Sequence, residues 1–245
     1  MSYAGSFSNI IQARDAAGLI VYMTNERYLR SGYLERNNGA LVFACREGAD
    51  DICTVLIRFG ADVNSAVFLR RTPLLVSCLA AHPACVDLLL SNGAKVNGDF
   101  SQGWTPLMAT VDEIDVPLGL TLDQLIDNRC QCMRSMLAAG AEINRMADDG
   151  RNALMLATWN FQLTKNLLDA GANVNSLTMN QDSVLHLACA RISSADVVKL
   201  LLEHGAEIDA VDLTGATPLH YACVFLNPGR KQFIAPMIVL TLIIF

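Results

Sequence analysis

The sequence predicts an all-α protein, a solenoid of repeated helix-turn-helix units. A Gly-Ala-x-Val/Ile-Asn/Asp marker begins at Gly60, Gly93, Gly140, Gly171 and Gly205, with spacings of 33, 47, 31 and 34 residues. A second marker, of Thr-Pro-Leu type, begins at Thr72, Thr105, Asn152, Ser183 and Thr217 and repeats the same uneven series. Two motifs that share one irregular spacing mark a repeated structural unit. Between them run apolar residues at helical spacing, as in Val86, Leu88, Leu89 and Leu90 or Val197, Val198, Leu200, Leu201 and Leu202.

In chain order, residues 1–33 lack a clean marker, but Asn9–Ala17 and Leu19–Ser31 read as two short amphipathic helices around Gly18. They form a capping half-repeat over the apolar side of the first full repeat, as a solenoid terminus requires. One period before Thr72 stands Gly39-Ala-Leu-Val-Phe-Ala-Cys45, a degenerate first copy, so about six repeats cover 34–235. In each, threonine before proline accepts an amide at a helix N-terminus, and proline in the first turn gives up only an N–H that has no intrahelical partner. The second helix stops at the marker glycine, which takes the left-handed C′ conformation cheaply. The Asn or Asp four residues later turns the chain outward.

The third repeat is longer, stepping 47 residues where its neighbour steps 33. Its insertion near 112–127 opens on the acidic Asp112-Glu-Ile-Asp115 and then reads Thr121-Leu-Asp-Gln124, a capping box that starts a lengthened second helix. After Cys223 the pattern fails, and 236–245 is an apolar, non-repeat tail. The uncharged residues from Phe233 to Phe245 fall short of the roughly 20 that span a bilayer. A tail with β-branched and aromatic residues in place of a polar cap reads as a truncated or alternative C-terminus, or as a gene-model artefact.

The fullest copy of the unit is Asp212-Leu-Thr-Gly-Ala-Thr-Pro-Leu-His-Tyr-Ala-Cys223. In these residues and in its period the chain resembles the ankyrin-repeat family. The resemblance implies an ankyrin-repeat solenoid of helix-turn-helix units with short β-hairpin fingers. It also implies a non-catalytic adaptor or scaffold, which grips another protein with its finger tips and the exposed side of its first helices. Two narrower readings stay open. One is the substrate-recognition part of a cullin-type ubiquitin ligase adaptor of the SOCS-box family, which the chain resembles only in its repeats, with no SOCS box read in its last residues. The other is the regulatory ankyrin region of a larger enzyme.

Composition removes other classes. The chain is 52% hydrophobic and only 17% charged, against about 25% charged in typical soluble domains. Lys and Arg number 18 against 24 Asp and Glu, a net charge of −6. No phosphate-tracking surface follows from that balance, so nucleic acid is not expected as a partner, and an acidic chain is a poor ligand for anionic membranes. Eight cysteines without a basic, apolar leader point to reduced thiols in an intracellular protein, cytoplasmic or nuclear.

The histidines recur on successive repeats rather than converging: His186 and His220 close their Thr-Pro-Leu-His slots, His82 sits between helices and His204 precedes Gly205. Cys45, Cys78, Cys189 and Cys223 share one small-residue slot, while Cys53, Cys85 and Cys132 fall on inner faces of second helices, all as small hydrophobes. With no Cys-x-x-Cys pair, phosphate loop or nucleophile elbow, neither metal, cofactor, small-molecule substrate nor catalysis is expected.

What is left is a surface. Carried over from the family repeat by repeat, the finger residues before each Thr slot are Phe68, Leu69 and Arg71; Ser101, Gln102 and Trp104; Asp148, Asp149 and Arg151; Met179, Asn180 and Asp182; then Leu213 and Thr214. The first fingers present aromatic, aliphatic and arginine side chains, types enriched in binding hot spots. Asp148 and Asp149 form a small acidic centre. Trp104 has two readings, ligand contact or packing between neighbouring fingers.

Overall fold

Short polar side chains set most of the helix starts. The computed structural model describes residues 13–18, 34–66, 70–98, 101–113, 120–190, 195–224, 239 and 241. Along them run α1 (Leu34–Arg46), α2 (Asp50–Arg58), α3 (Pro73–Leu79), α4 (Pro83–Ser91), α5 (Pro106–Val111), α6 (Leu122–Ala138), α7 (Ala153–Ala157), α8 (Phe161–Asp169), α9 (Val184–Ala190), α10 (Ala195–Glu203) and α11 (Pro218–Val224). The Thr72 hydroxyl accepts from the Leu75 amide at 3.3 Å and the Thr105 hydroxyl from Met108 at 3.2 Å. Asn152 caps α7 in the same way through the Met155 amide, at 3.0 Å. Each such cap contributes about 1 kcal/mol.

The capping box read from Thr121 to Gln124 is present. Thr121 accepts from the Gln124 amide at 3.2 Å, and the Gln124 side chain accepts from the Thr121 amide at 2.9 Å, closing the capping box that starts the 17-residue α6. Residues 114–119 lie outside the described residues. So do most of the two N-terminal helices expected over 9–17 and 19–31 and most of the tail. From the described 13–18 segment, the Arg14 guanidinium donates to the carbonyls of Glu47 (3.3 Å) and Gly48 (3.1 Å).

Contacts divide the chain into two compact units, 1–101 with 116–141, and 102–115 with 142–245. In the first, α1 packs on α2 and α3, α3 on α4, and α4 on both α2 and α6. First helices α1 and α3 thus form one layer and second helices α2, α4 and α6 another, the arrangement in which two apolar stripes cover each other. Leu41, Ile52, Leu56, Leu89, Leu125 and Met133 are fully buried there. In the second unit, α7 packs on α5, α8 and α9, while α9 packs on α10 and α11 and α8 on α10. Leu154, Leu163, Leu167, Leu185, Val197 and Leu201 fill its core. Each of these large aliphatic side chains stabilises by about 1.5–3 kcal/mol.

The marker Asn does more than turn the chain outward. Asn64 donates through Nδ2 to the Gly93 carbonyl (3.0 Å) and accepts through Oδ1 from the Lys95 amide (2.8 Å), 29 and 31 residues away. Asn175 makes the same pair of bonds to Gly205 and Glu207, both at 3.0 Å. Asn144 reaches Gly171 and the Asn173 amide likewise. One side chain therefore spans two repeats and ties each marker to the next.

Candidate functional site

In the second unit the chain turns from one repeat to the next through three fingers of one design. Each is closed by a backbone bond across its base: Ala147 amide to Arg151 carbonyl (2.8 Å), Thr178 to Asp182 (3.0 Å) and Asp212 to Ala216 (3.0 Å). A tight turn sits inside each, with Gly150, Gln181 and Gly215 in the left-handed region at φ of 79°, 61° and 79°. The middle finger carries an antiparallel bridge between Leu177 and Ser183. Adjacent tips are hydrogen-bonded: Asp148 donates its amide to the Gln102 carbonyl (2.9 Å), Met179 to Asp149 (3.3 Å) and Leu213 to Asn180 (3.1 Å). The tips are thus a continuous ladder and not separate loops.

Along that ladder the expected site residues differ in what they leave free. Met179 is 71% exposed and Leu213 64%. Asp148 is exposed, whereas Asp149 is paired with Arg151, its Oδ2 accepting from Nε at 2.6 Å and its Oδ1 from the Arg151 amide at 2.9 Å. Partial desolvation pushes the Asp149 carboxyl up, yet the Arg151 amide and guanidinium together hold it below the ordinary carboxylate value. Of the small acidic centre expected at Asp148 and Asp149, Asp149 belongs to an ion pair within its own finger.

Asn180 and Thr214 are exposed, but both serve their own turns. The Asn180 amide donates to the Thr178 hydroxyl at 3.2 Å, and the Thr214 hydroxyl donates to Asp212 Oδ1 at 2.7 Å. Half-buried Trp104 and exposed Gln102 precede α5, where Ser101–Gly103 form a 3-10 turn with Gln102 at φ 65°. In the other unit Arg71 is exposed, while Phe68 and Leu69 lie outside the described residues.

Below the tips stands a polar cluster that residue-type reasoning missed. Tyr221 Oη lies 2.7 Å from both Asp182 Oδ1 and Asp212 Oδ2. Asp212 Oδ1 also accepts from the Thr214 amide (2.8 Å) and the Ala216 amide (2.9 Å). Donors from Thr214, Tyr221 and Ala216 hold the Asp212 carboxyl well below the usual range, and the two carboxylates, Asp182 first, push the Tyr221 phenol above its usual value. His186, fully buried, packs edge-on against Tyr221 with ring centroids 5.0 Å apart. Its Nδ1 accepts from the Ser183 amide at 3.1 Å, so Nε2 carries the proton donated to the Ala216 carbonyl at 3.0 Å. That histidine is a tether between repeats.

Also missed were Met146, Leu177 and Val211, which are 42%, 43% and 53% exposed on the finger arms. Their signal was in the sequence, since each stands two residues after its marker's Asn144, Asn175 or Asp209.

Seven of the eight cysteines are buried, Cys45 and Cys53 with sulfurs 3.6 Å apart. Burial pushes the Cys189 thiol up to about 12. Cys223 departs from the expected buried slot and is exposed. No group of three or more metal-ligating side chains occurs among the described residues.

A family model described as Ankyrin repeats (3 copies) matches residues 41–116, 124–212 and 159–235. Ankyrin repeat and SOCS box protein 16 of Homo sapiens is 30% identical over 159 residues, which is 63% of this chain and 32% of that protein. E3 ubiquitin-protein ligase KEG of Arabidopsis thaliana is 29% identical over 116 residues, 47% of this chain and 6% of that protein. A solved ankyrin repeat domain from Acinetobacter baumannii AYE superposes with a TM-score of 0.65 at 20% identity, covering 84% of this chain and 96% of that one, a likeness of fold. The chain spans from 6% to 37% of the length of such curated relatives.

Proposed function

The chain belongs to the ankyrin-repeat family, and from that premise we propose that it is a non-catalytic adaptor or scaffold that holds a partner protein on its finger tips. One observation carries the reading. Met179 and Leu213, on neighbouring tips, are the most exposed large apolar side chains among the described residues, and unpaired apolar area of that kind marks interaction sites on otherwise polar loops. Among the described residues no helix is long and apolar enough to cross a membrane, and the acidic balance disfavours nucleic acid.

The test is site-specific photo-crosslinking in native extract. A benzoylphenylalanine at position 213 is expected to trap a protein partner, and one at the exposed position 162 of α8 to trap none. Crosslinks from 162 with none from 213 would overturn the finger assignment.

A second reading is favoured by the relatives, several of which are named Ankyrin repeat and SOCS box protein or E3 ubiquitin-protein ligase. In it the repeats select a substrate for ubiquitylation. The trapped partner's half-life should then lengthen when the chain is depleted, and an unchanged half-life would remove this reading while leaving the adaptor.

A further inference from the structure

We propose that the fingers of the second unit bind an extended peptide segment of a partner in which apolar and basic side chains are interspersed. This inference rests on the adaptor reading and specifies its partner. Met146, Leu177 and Val211 occupy one position in three consecutive fingers and are all exposed. The same position in the earlier repeats holds Ala66 and Asp99, so the apolar row is confined to these three. Tip-to-tip backbone bonds fix the fingers in register, and each finger contributes one apolar side chain at the same position. An extended segment matches such a row because its alternate side chains point the same way.

Charge selects the occupant. Stretches 142–151, 173–182 and 207–216 hold seven carboxylates and two arginines, a net charge of −5, whereas the whole chain carries −6. The overall acidity is thus nearly all local to these fingers. Arg145 lies 3.6 Å from Glu142, and Arg151 lies 2.6 Å from Asp149, so both cations are already engaged. At the foot of the row the geometry is short of protons: Tyr221 has one to give, yet two carboxylate oxygens, from Asp182 and Asp212, stand 2.7 Å from it. An ammonium or guanidinium beside Asp182 supplies the missing donor. An apolar row inside a negative field therefore fits lysine- or arginine-bearing apolar segments and repels acidic ones.

The test is selection of phage-displayed random dodecapeptides against the whole chain, followed by affinity measurement of the recovered peptides by fluorescence anisotropy. Recovered sequences are expected to combine Lys or Arg with Leu, Ile or Phe, and to weaken about fivefold or more when salt is raised from low to physiological strength. The variant Met146→Ser/Leu177→Ser/Val211→Ser should lose tenfold or more in affinity. Asp148→Asn/Asp209→Asn should lose both affinity and salt dependence. Both variants should keep the wild-type urea midpoint, because the changed side chains are exposed or keep an acceptor oxygen. Recovery of acidic or uncharged peptides, or of peptides that bind both folded variants like wild type, overturns this inference and leaves the adaptor reading standing. Recovery of no peptide at all likewise overturns this inference, while the adaptor reading is decided separately by the crosslinks from position 213.

Discussion

Replacing Gly150 by alanine should cost far more than replacing Gly215, although both have φ of 79°. The torsional cost is common to the two: an L side chain in the left-handed region loses about 1–2 kcal/mol, partly offset by about 0.4–1 kcal/mol from the stiffer unfolded chain. Their surroundings differ. A Cβ on Gly150 would lie 2.5 Å from the Met179 amide nitrogen and 2.9 Å from Thr178 backbone carbon atoms, whereas one on Gly215 meets no described atom within 4 Å. Backbone cannot swing away as a side chain can, so the fingers must separate and stretch the Met179-to-Asp149 bond. Overpacking of this kind costs about 1–3 kcal/mol, and the weakened bond adds about 0.5–1.5 kcal/mol. Gly215→Ala is therefore expected to lose about 0–1.6 kcal/mol and Gly150→Ala about 1.5–6 kcal/mol. Urea unfolding followed by circular dichroism, with equal m-values required, measures the difference. Two variants that lose stability equally would refute the close approach of neighbouring fingers.

Three further outcomes follow from local geometry. Gln181→Gly should stabilise by about 0.5–1 kcal/mol, since Gln181 holds at φ 61° the place that its two neighbouring fingers give to glycine; a lower thermal midpoint would count against it. Asn175→Ala removes its two side-chain bonds to the next repeat, for a loss of about 1–3 kcal/mol, and hydrogen exchange should quicken at the amides of Gly205 to Glu207; exchange left unchanged would show that the Asn175 tie carries no load. Under native conditions an aromatic disulfide reagent should label one thiol promptly, Cys223, while the seven buried ones react only on unfolding; rapid release of two or more equivalents would contradict that burial.

What was legible in the sequence was local. Thr72, Thr105 and the Thr121–Gln124 pair cap helices through amides three residues away, within reach of any reading by spacing. Asn64 and Asn175 were read as turn residues because their partners are 29 to 32 residues distant, and only the stacked repeats bring the two together. Met146, Leu177 and Val211 escaped notice because apolar residues are assigned by default to a core, and exposure depends on where the finger projects. Arg129 shows the converse. By residue type a guanidinium is a surface group, yet this one is 1% exposed, on the helical stripe of α6 that also buries Leu125, Cys132 and Met136. The tip residues were found because they are defined by position relative to a motif. Which of them remained free, Met179 and Leu213, and which were engaged, Asp149 and Thr214, depended on hydrogen bonds inside each turn.

Amide hydrogen exchange on the chain, free and bound to its crosslinked partner or to a selected basic-apolar peptide, tests most directly whether the fingers of the second unit are the binding surface. Protection is predicted at 145–149, 176–181 and 210–214, with α8 and α10 unchanged. Protection confined to α8 and α10, with the fingers exchanging as in the free chain, would contradict it.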